Sequence, residues 1–109
     1  MAGVVKYTMT IDNETYDGEI AYTNKTEQQL QLATASTDTS ISFGGVTTAT
    51  VLVLKSDQAL TLNVNSASGT DIAVAADRPQ VFLGGSLTAA YVSNASGSTA
   101  NITMVVYGT

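Results

Sequence analysis

The chain has no cysteine, no histidine and no tryptophan among its 109 residues. Without cysteine it can form neither a disulfide framework nor a metal site built on thiolates. Without histidine it lacks the usual base for a serine nucleophile, and the thiol nucleophile is missing too. Composition therefore excludes the commonest routes of nucleophilic catalysis.

Charged residues are also scarce, at 12% of the chain. The formal net charge is −5, and the only cations, Lys6, Lys25, Lys55 and Arg78, are scattered along the sequence. Nucleic-acid binding needs clustered Lys and Arg side chains that displace counterions from phosphates. We therefore expect no nucleic-acid partner.

Long apolar runs are missing as well. The longest falls far short of the roughly 20 residues that a membrane-spanning helix needs. Met1 is not followed by the charged segment and apolar core that begin a secretion signal. We expect a protein made in the cytoplasm, without a membrane partner.

What the chain does have is abundant Thr, Ser and Asn beside 44% hydrophobic residues. The clearest pattern lies in residues 46–65, which read as two β-strands joined by a polar turn at residues 56–58. In the second strand Leu60, Leu62 and Val64 alternate with polar residues, which predicts a sheet with one buried face. Residues 49–54 are dominated by apolar and β-branched side chains, so we expect both faces of the first strand to be covered.

The N-terminal third shows weaker patterns of the same kind. Residues 4–11 alternate between apolar and polar side chains and predict a half-buried first strand. The dipeptide Asp17-Gly18 predicts a hairpin turn, with residues 19–23 as the return strand. Residues 24–29 are expected to form a loop.

Two Gly-Gly pairs predict further hairpin turns, because glycine adopts positive φ without strain. They are Gly44-Gly45 and Gly84-Gly85. Together with polar turns elsewhere they divide the chain into about eight to ten short strands. We predict an all-β fold, an antiparallel β-sandwich of jelly-roll or immunoglobulin-like type. It would be one domain over residues 1–109, with a more acidic segment over residues 1–40.

Acidic residues are the only candidates for catalysis or metal binding. Paired carboxylates serve glycoside hydrolysis, and a loop of carboxylates can bind calcium. The candidates are Asp12, Glu14, Asp17 and Glu19. A calcium loop fails because its fifth position is Tyr16 and its twelfth is not Glu, so a solvated turn explains these residues better.

A Ser–Lys pair is the remaining candidate. Lys55 and Ser56 are neighbours along a predicted strand, where successive side chains point to opposite faces. They would not meet. We predict no catalytic, cofactor-binding or metal-binding residue, and no enzymatic activity.

The five tyrosines are the best candidates for recognition, because tyrosine offers large contact area and few rotatable bonds. Tyr16 is the one we expect to be most exposed. Tyr7, Tyr22 and Tyr91 are better explained as core or core-edge residues. The candidate interface residues are Tyr16, Asp12, Asp17, Tyr7 and Tyr22.

Turn motifs in the last two-thirds of the chain carry a family resemblance. They are Gly-Gly-Val-Thr-Thr at residues 44–48, Lys-Ser-Asp-Gln at 55–58, Leu-Thr-Leu-Asn-Val-Asn at 60–65, Gly-Gly-Ser-Leu-Thr at 84–88 and Ser-Asn-Ala-Ser-Gly at 93–97. In these the chain resembles small phage virion proteins of the capsid decoration or cement type. The family brings no catalytic residues.

The resemblance implies a non-enzymatic protein that binds the major capsid protein on the outside of a phage head and stabilises the shell. Such a protein is made in the bacterial host cytoplasm and ends in the virion. We expect a homo-oligomer, with a trimer as the first guess, and docking through the acidic first third. The alternative is a receptor- or glycan-binding module of a fibre or tail, with Tyr16, Asp12 and Asp17 as its binding cluster.

Overall fold

Ten β-strands make up the fold. A computed structural model describes residues 2–109. The strands are β1 Gly3–Ile11, β2 Glu14–Tyr22, β3 Asn24–Leu32, β4 Ser36–Ile41, β5 Ala49–Ser56, β6 Leu60–Val64, β7 Ile72–Val74, β8 Gln80–Leu87, β9 Ala90–Asn94 and β10 Ala100–Gly108. Nowhere in the described stretch is there a helix long and apolar enough to cross a membrane. The predicted all-β class is confirmed.

Eight of the strands form a sandwich of two antiparallel sheets. Sheet I has the order β3-β10-β5-β8, and sheet II has the order β4-β9-β6-β7. The pairings are nested: β3 pairs with β10, β4 with β9, β5 with β8 and β6 with β7. Two four-stranded sheets with this nesting form a jelly roll, so the jelly-roll alternative holds rather than the immunoglobulin-like one.

The core lies between the two sheets, as strand alternation predicts. β5 and β10 supply Leu52, Leu54 and Met104 from sheet I, and β6 supplies Leu62 from sheet II, all fully buried. Side chains of the two inner faces therefore interdigitate in a single apolar layer.

The two strands of residues 46–65 do not lie in the same sheet. β5 belongs to sheet I and β6 to sheet II, so the turn between them carries the chain across the sandwich. The inward face of β5 is covered as expected, with Leu52 0% exposed. The outward face is covered at Val51, which is 1% exposed, but only partly at Val53.

A buried asparagine ties the chain together on the side of sheet II. The Asn94 amide nitrogen donates to the carbonyl oxygens of Leu32 at 3.0 Å and Ser98 at 2.8 Å, and its oxygen accepts from Ser96. Asn94 is 0% exposed, so these bonds replace the water it has lost. They join the end of β3 to the turn between β9 and β10.

The first hairpin turn lies earlier than predicted. Its two residues are Asp12 and Asn13, with φ of 49° and 67°. Asp17 and Gly18 lie inside β2 instead, so their prediction as a turn was wrong. A two-residue turn of type I′ needs positive φ at both central residues. Asp and Asn tolerate positive φ because their short polar side chains can hydrogen-bond locally. Asp12-Asn13 therefore suits this turn.

The expected loop at residues 24–29 is also wrong, because these residues are the first part of β3. Their side chains alternate between partly buried and exposed, but the partly buried ones include Asn24, Thr26 and Gln28. Polar residues on the inward side hid the strand from a search for alternating apolar residues.

Neither Gly-Gly pair forms a hairpin turn. Gly44 and Gly45 make a turn closed by the Val46 amide on the Phe43 carbonyl at 3.1 Å, but β4 before it and β5 after it lie in different sheets. Gly84 and Gly85 lie inside β8, with φ of 79° and 100°. They face a shift in register in β5, which makes the pair part of a β-bulge.

Candidate interaction site

The first two strands stand apart from the sandwich. β1 and β2 pair only with each other, from Gly3 opposite Tyr22 to Ile11 opposite Glu14. We call this hairpin, residues 3–22, the arm. Each strand has nine residues, so the arm is about 30 Å long at about 3.3 Å per residue. All five predicted interface residues lie in it.

One face of the arm is apolar. Strand alternation places on it every second residue of β1 and the residues paired with them in β2. Its large members are Val5, Tyr7, Met9, Ile11, Tyr16, Ile20 and Tyr22. Toward the turn these side chains are open to solvent: Ile11 is 59% exposed, Tyr16 47% and Met9 40%. This apolar face of the arm is the most unusual surface of the molecule, because apolar side chains this open are ordinarily scattered singly.

Two tyrosines of this face lie across glycines of the neighbouring strand. A Cβ on Gly18 would lie 2.6 Å from Cζ of Tyr7, and a Cβ on Gly3 would lie 2.6 Å from Oη of Tyr22. Both glycines therefore leave room for an aromatic ring, which covers the exposed backbone. Tyr7 and Tyr22 are half-buried in this way, although they are not part of the sandwich core.

Tyr16 is exposed, as expected. Its hydroxyl donates a hydrogen bond of 2.8 Å to a carboxylate oxygen of Glu14, two residues earlier on the same face. This bond raises the pKa of the Tyr16 hydroxyl above its ordinary value. The bond links these two side chains at the free end of the arm.

The predicted cluster of Tyr16, Asp12 and Asp17 does not assemble. Tyr16 belongs to the apolar face, whereas Asp17 is its neighbour in β2 and points to the opposite face. Asp12 lies in the turn. The opposite face is polar and has Asp17 and Glu19 beside Lys6, around an open depression of about 350 Å³.

The arm is fixed to the sandwich at its base. The Thr23 amide donates to the Gly108 carbonyl at 2.9 Å. The Tyr22 ring packs edge to face on Tyr107 of β10, with centroids 5.0 Å apart. Lys25 lies 5.4 Å from the centroid of Tyr107, and its pKa is raised, chiefly by a hydrogen bond to Glu27.

A second apolar surface, which sequence reasoning missed, lies on the outward side of sheet I. Val53 of β5 stands between Val105 of β10 and Val81 of β8, and Leu83 lies farther along β8. Val81 is 44% exposed and the others are partly buried. We call these four residues the outer patch of sheet I. The sequence did contain a pattern that indicates this surface, because residues 49–54 have apolar side chains toward both faces of their strand.

Two of the candidate sites considered from the sequence, a metal site and a Ser–Lys pair, do not assemble in the part of the chain that is described. Across residues 2–109 no three carboxylates lie close enough to hold a metal ion. Lys55 and Ser56 point to opposite sides of β5, with Ser56 buried and its hydroxyl accepting from the Gln58 amide. An open depression of about 500 Å³ at β3 and β10 is lined by Gln29, Gln31, Asn101 and other uncharged residues.

Comparison of the chain with protein-family models, with curated proteins and with solved structures gives no match.

Proposed function

We propose that this protein is a non-enzymatic decoration or cement protein that binds the outside of a phage head and stabilises the shell. The observation that carries the proposal is the arm. It projects from a closed jelly roll and has an apolar face that is open to solvent toward its free end. A two-stranded hairpin alone is marginally stable in water, so an exposed apolar hairpin is best explained as a surface for another protein.

Two further features support an assembly role. The turn motifs of residues 44–97 resemble small phage virion proteins, and the jelly roll is a fold used by viral capsid domains. A fold alone does not decide a function, so the exposed apolar face of the arm is the more specific support. The major capsid protein is the proposed partner, and the acidic arm is the proposed docking element.

A fibre or tail module that binds a receptor or glycan is the alternative. Lectins also use jelly rolls, and Tyr16 is exposed enough to stack on a sugar ring. The separation of Tyr16 from Asp17 on opposite faces of β2 breaks up the predicted binding cluster, and Glu14 is the carboxylate that lies beside the Tyr16 ring instead. A glycan array with wild type and Tyr16→Ala tests this alternative directly, because saturable binding lost in the variant would favour it.

Quantitative mass spectrometry of gradient-purified particles from the native source tests the proposal. A copy number comparable to that of the major shell protein is the expected result. A much smaller fixed ratio would favour the fibre or tail alternative. Absence from particles would overturn the virion role.

A further inference from the structure

We propose that Tyr107 is a positioning residue for the arm. Its ring sets the angle at which the arm leaves the sandwich, so that the apolar face of the arm meets the shell in one orientation. The orientation toward the shell rests on the proposed function, whereas the fixed angle concerns the chain alone.

The chain bends where the arm begins. Thr23 is the single residue between β2 and β3, and the bend lies there. A straight strand over residues 14–32 would be about 60 Å long at about 3.3 Å per residue. The longest principal dimension of the Cα atoms is only 38 Å. The arm therefore lies at an angle to β3, and contacts at its base must hold that angle.

The hydrogen bonds at the bend hold the chain at one point. The Thr23 amide donates to the Gly108 carbonyl at 2.9 Å, and the Thr23 hydroxyl donates to the same oxygen at 3.2 Å. The side-chain amide of Asn24 donates to the Thr109 carbonyl at 3.0 Å. These bonds join two adjacent residues to the end of β10. Because they lie so close together, the arm could still swing about them.

The contact between Tyr22 and Tyr107 supplies a second point of attachment, on the arm side of the bend. Tyr22 is the last residue of β2, and its ring packs edge to face on Tyr107 with centroids 5.0 Å apart. The hydroxyl end of the same ring lies over Gly3 of β1, where a Cβ would be 2.6 Å from Oη. One ring therefore connects both strands of the arm to β10. Attachment at two separate points prevents the swing that the bonds at residues 23 and 24 would permit.

The sandwich holds Tyr107 itself in place. Tyr107 belongs to β10, an inner strand of sheet I. The next residue, Gly108, lies so close to β5 that a Cβ would overlap the Thr48 carbonyl oxygen, and the Thr109 amide donates to that oxygen at 2.9 Å. Lys25 Nζ of β3 lies 5.4 Å from the centroid of the Tyr107 ring, within the range of a favourable cation–ring contact. The ring is thus a fixed surface on which the arm rests.

The angle matters because the arm is long. Its free end lies about 30 Å from the bend, so a rotation of about 10° would move that end by about 5 Å. Apolar side chains are in contact only within about 4.0–4.5 Å. Met9, Ile11 and Tyr16, the exposed apolar side chains of the arm, lie toward this end. A free angle would therefore misplace them and add an entropy cost to docking, which a preset angle avoids.

Distances between two spin labels, measured by double electron–electron resonance, test the fixed angle. The chain has no cysteine, so Thr10→Cys near the free end of the arm and Thr70→Cys between β6 and β7 carry the only labels. Both threonines are exposed. The labelled protein should give one narrow distance distribution. Tyr107→Ala should broaden it by about 5 Å or more, the displacement expected for a rotation of about 10°.

Two further variants separate positioning from general stability. Tyr107→Phe keeps the ring and should restore the narrow distribution. Tyr91→Ala is the matched control, because Tyr91 is a half-buried tyrosine of β9 in sheet II, and it should leave the distribution narrow. Circular dichroism of each variant confirms that the sandwich is folded. If Tyr107→Ala unfolds it, Tyr107→Leu takes its place, since leucine keeps apolar bulk without a flat ring.

Cosedimentation with particles tests the role of the angle in docking. The particles are purified from the native source and freed of their own copies of the protein with guanidinium chloride. Tyr107→Ala should bind about tenfold more weakly than wild type, whereas Tyr107→Phe and Tyr91→Ala should bind like wild type.

The two measurements distinguish failure of the fixed angle from failure of the virion role. A broad distribution without any substitution at Tyr107, a narrow one in Tyr107→Ala, or equal broadening in Tyr91→Ala would overturn the fixed angle. Unchanged particle binding by a broadened Tyr107→Ala would overturn its role in docking and leave the virion role intact. A narrow distribution with no particle binding by wild type would support the fixed angle and overturn the virion role, and the orientation toward the shell with it.

Discussion

The ring of Tyr7 lies over Gly18 of the neighbouring strand, where a Cβ would come within 2.6 Å of Cζ. Gly18 therefore lies within β2, where it accommodates the Tyr7 ring, and it does not form a turn. The arm depends on this contact because no other sheet supports its two strands.

Gly18→Ala should loosen the arm without unfolding the sandwich. The added methyl group must displace the Tyr7 ring, whereas the hydrogen bond of Thr23 and the packing of Tyr22 that fix the arm to the sandwich lie at its base. We expect faster hydrogen exchange of amides in residues 5–20 and little change in the melting temperature of the sandwich. Glu19→Ala, at the next residue but on the opposite face, is the control. Equal effects of the two substitutions would contradict the role of the ring.

The two methionines 104 and 9 should respond very differently to truncation. Met104 is 0% exposed in the core and Met9 is 40% exposed on the arm. Met104→Ala should lower the free energy of unfolding by about 2–5 kcal/mol, because it leaves a cavity. Met9→Ala should change it by less than about 0.5 kcal/mol. Urea unfolding of both variants measures the difference, and a similar loss in both would contradict the placement of the core.

Asn94→Ala should destabilise the sandwich more than its small loss of volume suggests. The substitution leaves the carbonyl oxygens of Leu32 and Ser98 without the amide that now donates to them. Unpaired buried polar groups cost about 1–3 kcal/mol each, and the Ser98 carbonyl keeps a hydrogen bond from the Ser96 hydroxyl at 3.0 Å, so we expect a loss of about 1–3 kcal/mol, chiefly from the Leu32 carbonyl. Asn24→Ala, which removes one exposed bond to the Thr109 carbonyl, should cost about 1 kcal/mol or less. Thermal unfolding of the two variants gives the comparison.

Asp57 should make the free energy of unfolding depend on pH in the acid range. Hydrogen bonds from the Asn101 side chain and then from its backbone amide, at 2.7 and 2.8 Å, hold the pKa of the Asp57 carboxyl below its ordinary value of 3.8. A lowered pKa in the folded state means that the carboxylate stabilises the fold above pH 3.8. That stabilisation is lost as the pH falls through the lower, folded value.

Asp57→Asn therefore should be less stable than wild type at neutral pH, and the difference should shrink below about pH 4. Urea unfolding of both proteins between neutral and strongly acid pH measures it. Asn101→Ala should reduce the same pH dependence without abolishing it, because the backbone amide still donates. A difference between wild type and Asp57→Asn that is constant with pH would contradict the linkage.

Local patterns predicted the strands that are apolar on one side. For residues 4–11 and 60–64 the alternation of apolar and polar side chains every two residues was sufficient. The Gly84-Gly85 bulge was out of reach of such reasoning, because a glycine pair serves a turn or a bulge according to the strand opposite. The same is true of Gly18, which only the cross-strand position of Tyr7 explains.

The sequence patterns also could not show which strands belong to the same sheet. The polar turn at residues 56–58 fits a hairpin or a crossing between sheets, and only the pairing of β5 with β10 and β8 decides between them. The arm residues were predicted as interface candidates from composition, but their division into two faces required the register that begins at Asp12-Asn13. The outer patch forms because β8 and β10 flank β5. This arrangement could not be predicted from any short stretch of the sequence.

The place of β10 has a consequence for the order of events during synthesis. β10 is the last of the ten strands to be made, yet it lies inside sheet I between β3 and β5. The ribosome must therefore release residues 100–108 before sheet I can close around its core. The arm needs only neighbouring residues and can form first, since local pairings close faster than distant ones. A nascent chain would thus expose the apolar side chains of the arm before it has a sandwich.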